Sequence, residues 1–179
     1  MPDHTSTPTP STVAPPPGAP NIDLVRWALD RLDHQDLDSL QSFWTTDSTV
    51  QFPTGTCRGR AEITAYFRQV FDALADFSLK IVAIAESGDD VLVHWHLTGR
   101  HVGTFVGIDA TGRDVDLEGF DHFVLDHGTV ATNTVRFDQM EFARQIRLLP
   151  ADGSPADRAL KGAFNAATHA MDRLRRRRH

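Results

Sequence analysis

The chain has 179 residues, 40% of them hydrophobic and 23% charged, a globular composition with room for one domain around a real core and too little for two. Its net charge of −6 is uneven: from Asp172 onward one acid faces five arginines, giving +4 and leaving −10 on the rest, and so acidic a body repels phosphate backbones. No apolar run approaches the ~18 residues of a membrane helix, no signal-peptide pattern opens the chain, and Cys57 is the only cysteine, so a cytoplasmic protein with no membrane partner is expected.

Residues 1–20 hold seven of the ten prolines among Ser, Thr and Ala, a composition that buries too little to offset ordering entropy and predicts a disordered leader. Order is expected from Asn21, a good N-cap, with Ile22, Val25, Leu29 and Leu32 on one helical face. A short helix is expected over 38–44 and a strand over 49–52, stopped by Pro53, Thr54 and Gly55. The strongest helical pattern runs from Arg60 to Phe77, where Ile63, Tyr66, Phe67, Val70, Phe71 and Leu74 form a wide apolar stripe.

The period then changes from 3.6 to 2. Strands are expected over 79–85, 91–98, 115–125 and 129–137, joined at Gly88-Asp89-Asp90, Thr111-Gly112-Arg113 and Asp126-His127-Gly128. Helices followed by a strand meander define an α+β fold with an antiparallel sheet. A short helix over 140–148 ends before Pro150. Ser154-Pro155 then caps a last helix whose narrow stripe, Leu160, Phe164, Ala167, Met171 and Leu174, must lie on the domain or on a partner. The expected organisation is a leader at 1–20, a domain at 21–149, and a C-terminal helix with a basic tail at 150–179. The arginine run 175–178 is read as a solvated end that complements the helix dipole; a contact arm for nucleic acid or an acidic partner is the alternative.

Alternation fixes the strand faces. Val91, Val93, Trp95 and Leu97 share one face, with His94 and His96 on the other. Leu117, Gly119, Asp121, Phe123 and Leu125 share a face, which leaves Asp121 as a carboxyl group among apolar neighbours. Burial without a partner would cost it several kcal/mol, so it either finds hydrogen bonds, for example from a backbone amide or Tyr66, or acts as an acid/base group with a raised pKa. Asn133 shares a face with Ala131, Val135 and Phe137 and is a candidate donor to a ligand oxygen or to a neighbouring backbone group. His94-Trp95-His96 has metal-ligand spacing, but the histidines face away from the apolar side, and no metal site is expected. Arg58 and Arg60 beside Cys57 could lower its pKa, yet no partner base lies nearby, and an incidental thiol is expected.

The segments Gly99-Arg100-His101-Val102-Gly103, Phe105-Val106-Gly107-Ile108, Thr111-Gly112-Arg113, Gly119-Phe120-Asp121 and Phe142-Ala143-Arg144-Gln145-Ile146, with Gly59-Arg60-Ala61-Glu62-Ile63 at the start of the long helix, resemble the SnoaL-like polyketide cyclases of the nuclear-transport-factor-2-like superfamily over residues 22–148. The resemblance implies a cone in which a curved sheet wraps around the N-terminal helices, a homodimer through the sheet, a deep apolar pocket for a small apolar or aromatic ligand, and ring-closing acid/base chemistry without a cofactor. The position of the cyclases' catalytic aspartate is Val135 here; Asp121 matches a pocket histidine and Asn133 a second polar position. Positions used by epoxide-hydrolysing relatives fall on Gln51, Pro53, Trp95 and Leu97, which do not carry that chemistry. The site expected is therefore Asp121 and Asn133 as polar machinery, with Gln51, Tyr66, Trp95, Leu97, Leu117, Val135 and Phe137 against the ligand. A non-catalytic binding or dimerisation module that lacks the aspartate is the alternative.

Overall fold

The structure is a computed structural model and describes residues 12–176. Residues 1–11 of the leader, and Arg177 and Arg178 of the arginine run, lie outside the described residues. Residues 12–20 form neither helix nor strand and are mostly exposed, touching the domain where the Val13 amide donates to Ser39 Oγ at 2.8 Å and where Ala19 packs on the core.

In chain order the elements are α1 (Asn21–Asp33), α2 (Leu37–Leu40) with a 3-10 turn (Gln41–Phe43), β1 (Trp44–Phe52), β2 (Gly55–Arg58), α3 (Gly59–Ala73), β3 (Leu74–Ser87), β4 (Asp90–His101), β5 (Asp114–Asp126), β6 (Thr129–Phe137), α4 (Gln139–Gln145) and α5 (Pro155–Arg176). The strands form one curved, unclosed sheet in the order β2-β1-β6-β5-β4-β3. α1 packs on β3 and α3 on β1, so the helices fill the concave side and the core lies between them and the sheet. This is the expected α+β cone.

One strand pair departs from the antiparallel pattern. β1 runs parallel to β6, with Val50 beside Asn133, and its register slips between Trp44 and Thr49. A parallel neighbour requires a long crossover, and α3 with the β3-β4-β5 meander supplies it.

Several boundaries move. The N-cap of α1 is Pro20, whose carbonyl takes the Asp23 and Leu24 amides, while the Asn21 side chain reaches the Gly88 carbonyl instead. α2 is capped by Asp36, which accepts from the Ser39 amide, and Trp44 already belongs to β1 rather than to a helix over 38–44. The expected helix end at Phe77 is wrong for a specific reason. α3 stops at Ala73, and Leu74 and Ala75 pair with His101 and Arg100. A bulge between Ala75 and Ser78, with Asp76 at φ +53°, then resets the strand so that Leu74 and Phe77 both face inward. Their three-residue spacing imitates a helix. The turn at His127-Gly128 has positive φ at both residues, as a type I′ hairpin requires.

α5 begins where Ser154-Pro155 predicts, with Ser154 Oγ accepting from the Asp157 amide. Asp157 is buried at its docking point and paired with Lys161. Leu160, Phe164 and Met171 are exposed, so that stripe does not cover the domain. No described helix is long and apolar enough to cross a membrane.

Candidate functional site

β5 runs through the middle of the curved sheet, and its alternation is regular: Val115, Leu117, Gly119, Asp121, Phe123 and Leu125 point inward and are buried. Under them and against α3 lies a cavity of about 110 Å³. α1 contributes Leu29 and Leu32, α3 contributes Tyr66, Phe67 and Val70, and β3 contributes Leu74, Phe77 and Leu79. Trp95 and Leu97 of β4, Leu117 of β5, and Val135 and Phe137 of β6 complete the wall on the sheet side. Phe105, from the segment after β4, and Phe142 of α4 stand edge to face and close one side.

Asp121 lies directly across from Val93 on β4 and Val135 on β6. Its carboxyl is held from both flanking strands on the diagonal. Trp95 Nε1 donates to Oδ1 at 2.9 Å, and Asn133 Nδ2 donates to Oδ2 at 3.1 Å. The tyrosine named as a candidate partner is elsewhere: the Tyr66 hydroxyl is 3.2 Å from Thr54 Oγ1, its ring stacks on Phe52, and burial pushes the phenol pKa up. The Trp95 indole reaches Asp121 because Gly119 lies opposite it in the register. A side chain at 119 would collide with the indole ring and approach the Arg136 carbonyl to 2.8 Å.

Desolvation raises the Asp121 pKa from 3.8 to about 6, and the hydrogen bonds from Trp95 and Asn133 work in the opposite direction. Both partners are neutral, and among the described residues no cationic side chain lines the cavity. Its pKa therefore lies closer to neutrality than that of an ordinary carboxyl group, and its two hydrogen-bond donors are both neutral.

Of the expected ligand-facing residues, Tyr66, Trp95, Leu97, Leu117, Val135 and Phe137 line the cavity together with Asp121. Asn133 is buried one layer behind, against the Asp121 carboxyl. Gln51 must be corrected. It is exposed and accepts from Arg136 Nη2 at 3.1 Å, because alternation on β1 turns Val50 and Phe52 inward and Gln51 out. The Ala131 face also shifts: Val130 is fully buried, because the β5–β6 register slips between Val124 and Leu125. Sequence reasoning missed Phe105 and Phe142, which lie in irregular chain and on a short helix where periodicity gives no facing. Phe77 and Leu79 were hidden by the β3 bulge.

His94 and His96 of β4 are on the outer face, whereas His101 at the strand's end is buried. His96 Nε2 is 2.6 Å from Asp116, His94 Nε2 is 3.4 Å from Glu118, and the His94 ring stacks on Phe120. Among the described residues, no group of three His, Cys, Asp or Glu is arranged to hold a metal. Cys57 is not activated, in keeping with an incidental thiol: burial and Glu62 raise its pKa, while Arg60 turns away to donate to the Trp44 carbonyl.

A curved sheet folded over helices, with a single carboxyl group among the aromatic and aliphatic side chains that line an internal cavity, defines a protein of the α+β cone class. The chain belongs to the SnoaL-like polyketide cyclase family, which matches residues 22–146. TsrD from Streptomyces laurentii is similar in structure, with 25% identity over 70% of this chain and 93% of its own, at a TM-score of 0.64. A SnoaL-like protein from Jannaschia sp. CCS1 is 22% identical over 73% of this chain and 93% of its own, at a TM-score of 0.66. TerC, crystallised with polyporic acid, is 20% identical over 72% and 99%, at 0.60. No curated protein matches the sequence.

Proposed function

We propose that this protein binds an aromatic small molecule in the cavity beneath α3 and acts on it as a cofactor-independent cyclase or isomerase, with Asp121 as the acid/base group. The observation that carries this reading is the lone carboxyl in an otherwise apolar cavity, its pKa brought to about 6 by desolvation. General acid/base catalysis is most effective when the group's pKa is near the working pH. Asn133 and Trp95 are positioning residues: they fix the carboxyl plane and stabilise its ionised form. The family's acid at the Val135 position is absent, so on this reading Asp121 performs both proton removal and proton return.

Size narrows the ligand. A dry protein cavity of about 150 Å³ holds one benzene ring, so about 110 Å³ encloses roughly a single ring, and a larger polycycle extends past Phe105 and Phe142. The polyporic acid crystallised with TerC supports a small organic occupant for this fold. Association of two copies through the outer sheet face belongs to the same proposal; exposed Leu92 and Phe120 on adjacent strands support it.

The test follows proton exchange by NMR in D2O across a panel of one-ring aryl ketones. The wild type is expected to exchange the α-proton of at least one of them, and Asp121→Asn to slow it by about 100-fold or more. An unchanged rate in the variant removes Asp121 from the chemistry.

A further inference from the structure

We infer that the cavity takes a ligand carrying a protonated amine on an aromatic or apolar body, the ammonium pairing with the Asp121 carboxylate. This rests on the cavity being the ligand site and names the class of molecule it selects.

Every described residue lining the cavity is apolar except Tyr66 and Asp121. Basic groups nearby lie outside the cavity lining. Arg136 is turned outward, donating to the Val135 carbonyl and to Gln51. Arg100 pairs with Asp76. His94 and His96 face the far side of the sheet against Glu118 and Asp116. His101 is buried in contact with Phe142, outside the cavity lining, and bonds Thr111 through Nδ1. Among the described residues the carboxyl therefore has two neutral donors and no counter-ion, an arrangement that leaves a buried charge uncompensated.

A ligand can supply what the protein lacks. An ammonium group restores charge balance where water is excluded and the attraction is least screened. The walls favour the same sign. Tyr66, Phe67, Trp95, Phe105 and Phe137 all line the cavity, and an aromatic ring attracts a cation over its face and disfavours an anion there. The chain before Asp172 is acidic as well: its charge of −10 enriches cations and depletes anions around the molecule as a whole. Cavity, wall and surface agree on the sign. The ion pair also has a consequence for the proposed chemistry. A bound cation favours the ionised carboxyl, so the substrate itself raises the fraction of Asp121 present as base.

The experiment measures binding of benzylamine, benzyl alcohol and benzoate to the full chain at pH 7.5, by calorimetry, in the wild type and in Asp121→Asn. Benzylamine is expected to bind at least tenfold more tightly than benzyl alcohol, with benzoate weakest. In Asp121→Asn the amine preference should fall below threefold while benzyl alcohol still binds, which also shows that the variant keeps its cavity. Equal or tighter binding of benzyl alcohol by the wild type overturns the inference and leaves the cavity reading intact. A preference that survives in Asp121→Asn assigns it to the acidic surface and overturns the inference too. Failure of all three to bind the wild type overturns both readings. Within the wild type, the Trp95 indole N–H resonance should shift on adding benzylamine; a complex that leaves it unmoved counts against the ion pair even if the variant does not fold.

Discussion

Asp121 costs the fold stability at neutral pH, because burial disfavours its ionised form. Its pKa is 3.8 in the ordinary state and about 6 in the folded protein. Between these values the unfolded chain has released the proton and the folded chain still holds it, so stability falls as pH rises through that window. The loss reaches about 3 kcal/mol above pH 6. Urea unfolding of the wild type is expected to show lower stability at pH 7.5 than at pH 4.5, and Asp121→Asn should flatten the difference. The variant should also be the more stable protein at pH 7.5. Asn133 Oδ1 is buried without a partner, and a turned amide would let it accept from the amide group that the substitution introduces. A gain of stability with a loss of activity is the expected mark of a strained functional group. Asp33 and Asp36 act the other way. Desolvation opposes their ionisation, but hydrogen bonds from Lys80 and Leu79 to the first, and from Ser39 and Arg31 to the second, hold both pKa values down, so stability declines in acid below about pH 4. Gly119 is a second residue with a large expected effect. Gly119→Ala forces the Trp95 indole off its seat and weakens its bond to Asp121, which should cost about 1–3 kcal/mol in a thermal melt.

Elements in this fold are tied by a few side chains, and Asp33 shows how. It ends α1, where the helix dipole disfavours an acid, yet it accepts from the Leu79 amide at 2.7 Å and from Ser78 Oγ at 3.2 Å and pairs with Lys80. Through these bonds α1 fixes β3 just after the bulge. Asp33→Ala leaves the Leu79 amide without its acceptor and should destabilise by about 1–3 kcal/mol in chemical denaturation, whereas Asp33→Asn should lose less. The same region marks the limit of what sequence reveals. The strand faces of β4 and β5 are legible because these two strands run in unbroken register with each other, and this places Asp121, Trp95, Leu97 and Leu117 on the right side. The end of α3, the inward turn of Phe77 and the burial of Val130 depend on bulges, and a bulge is created by the neighbouring strand rather than announced in its own residues. Gln51 is misplaced when a position carried over from relatives overrides the local alternation that buries Val50 and Phe52. β2 escapes notice because its short run after Pro53 and Thr54 reads as the close of a strand.

Taken as a whole, the molecule separates a packed cone from an appended helix. α5 is tied at its start through Asp152, which pairs with Arg144 of α4 and with Lys161 of α5, and beyond that point Phe164 and Met171 are exposed. Removing residues 154–179 should leave the unfolding midpoint of the cone within about 3 °C, since little apolar area is lost from the core.

The parallel seam between β1 and β6 has a kinetic meaning. β3, β4 and β5 can zip together by local hairpins, but among the described strands β1 has no partner except β2 until β6 arrives from the far end of the domain. Loop closure over that distance must precede any reward, which places the domain among slow folders, with refolding over roughly milliseconds to seconds. Stopped-flow refolding should show that truncating Val50 to Ala retards folding less than it speeds unfolding, as expected of contacts made after the rate-limiting step.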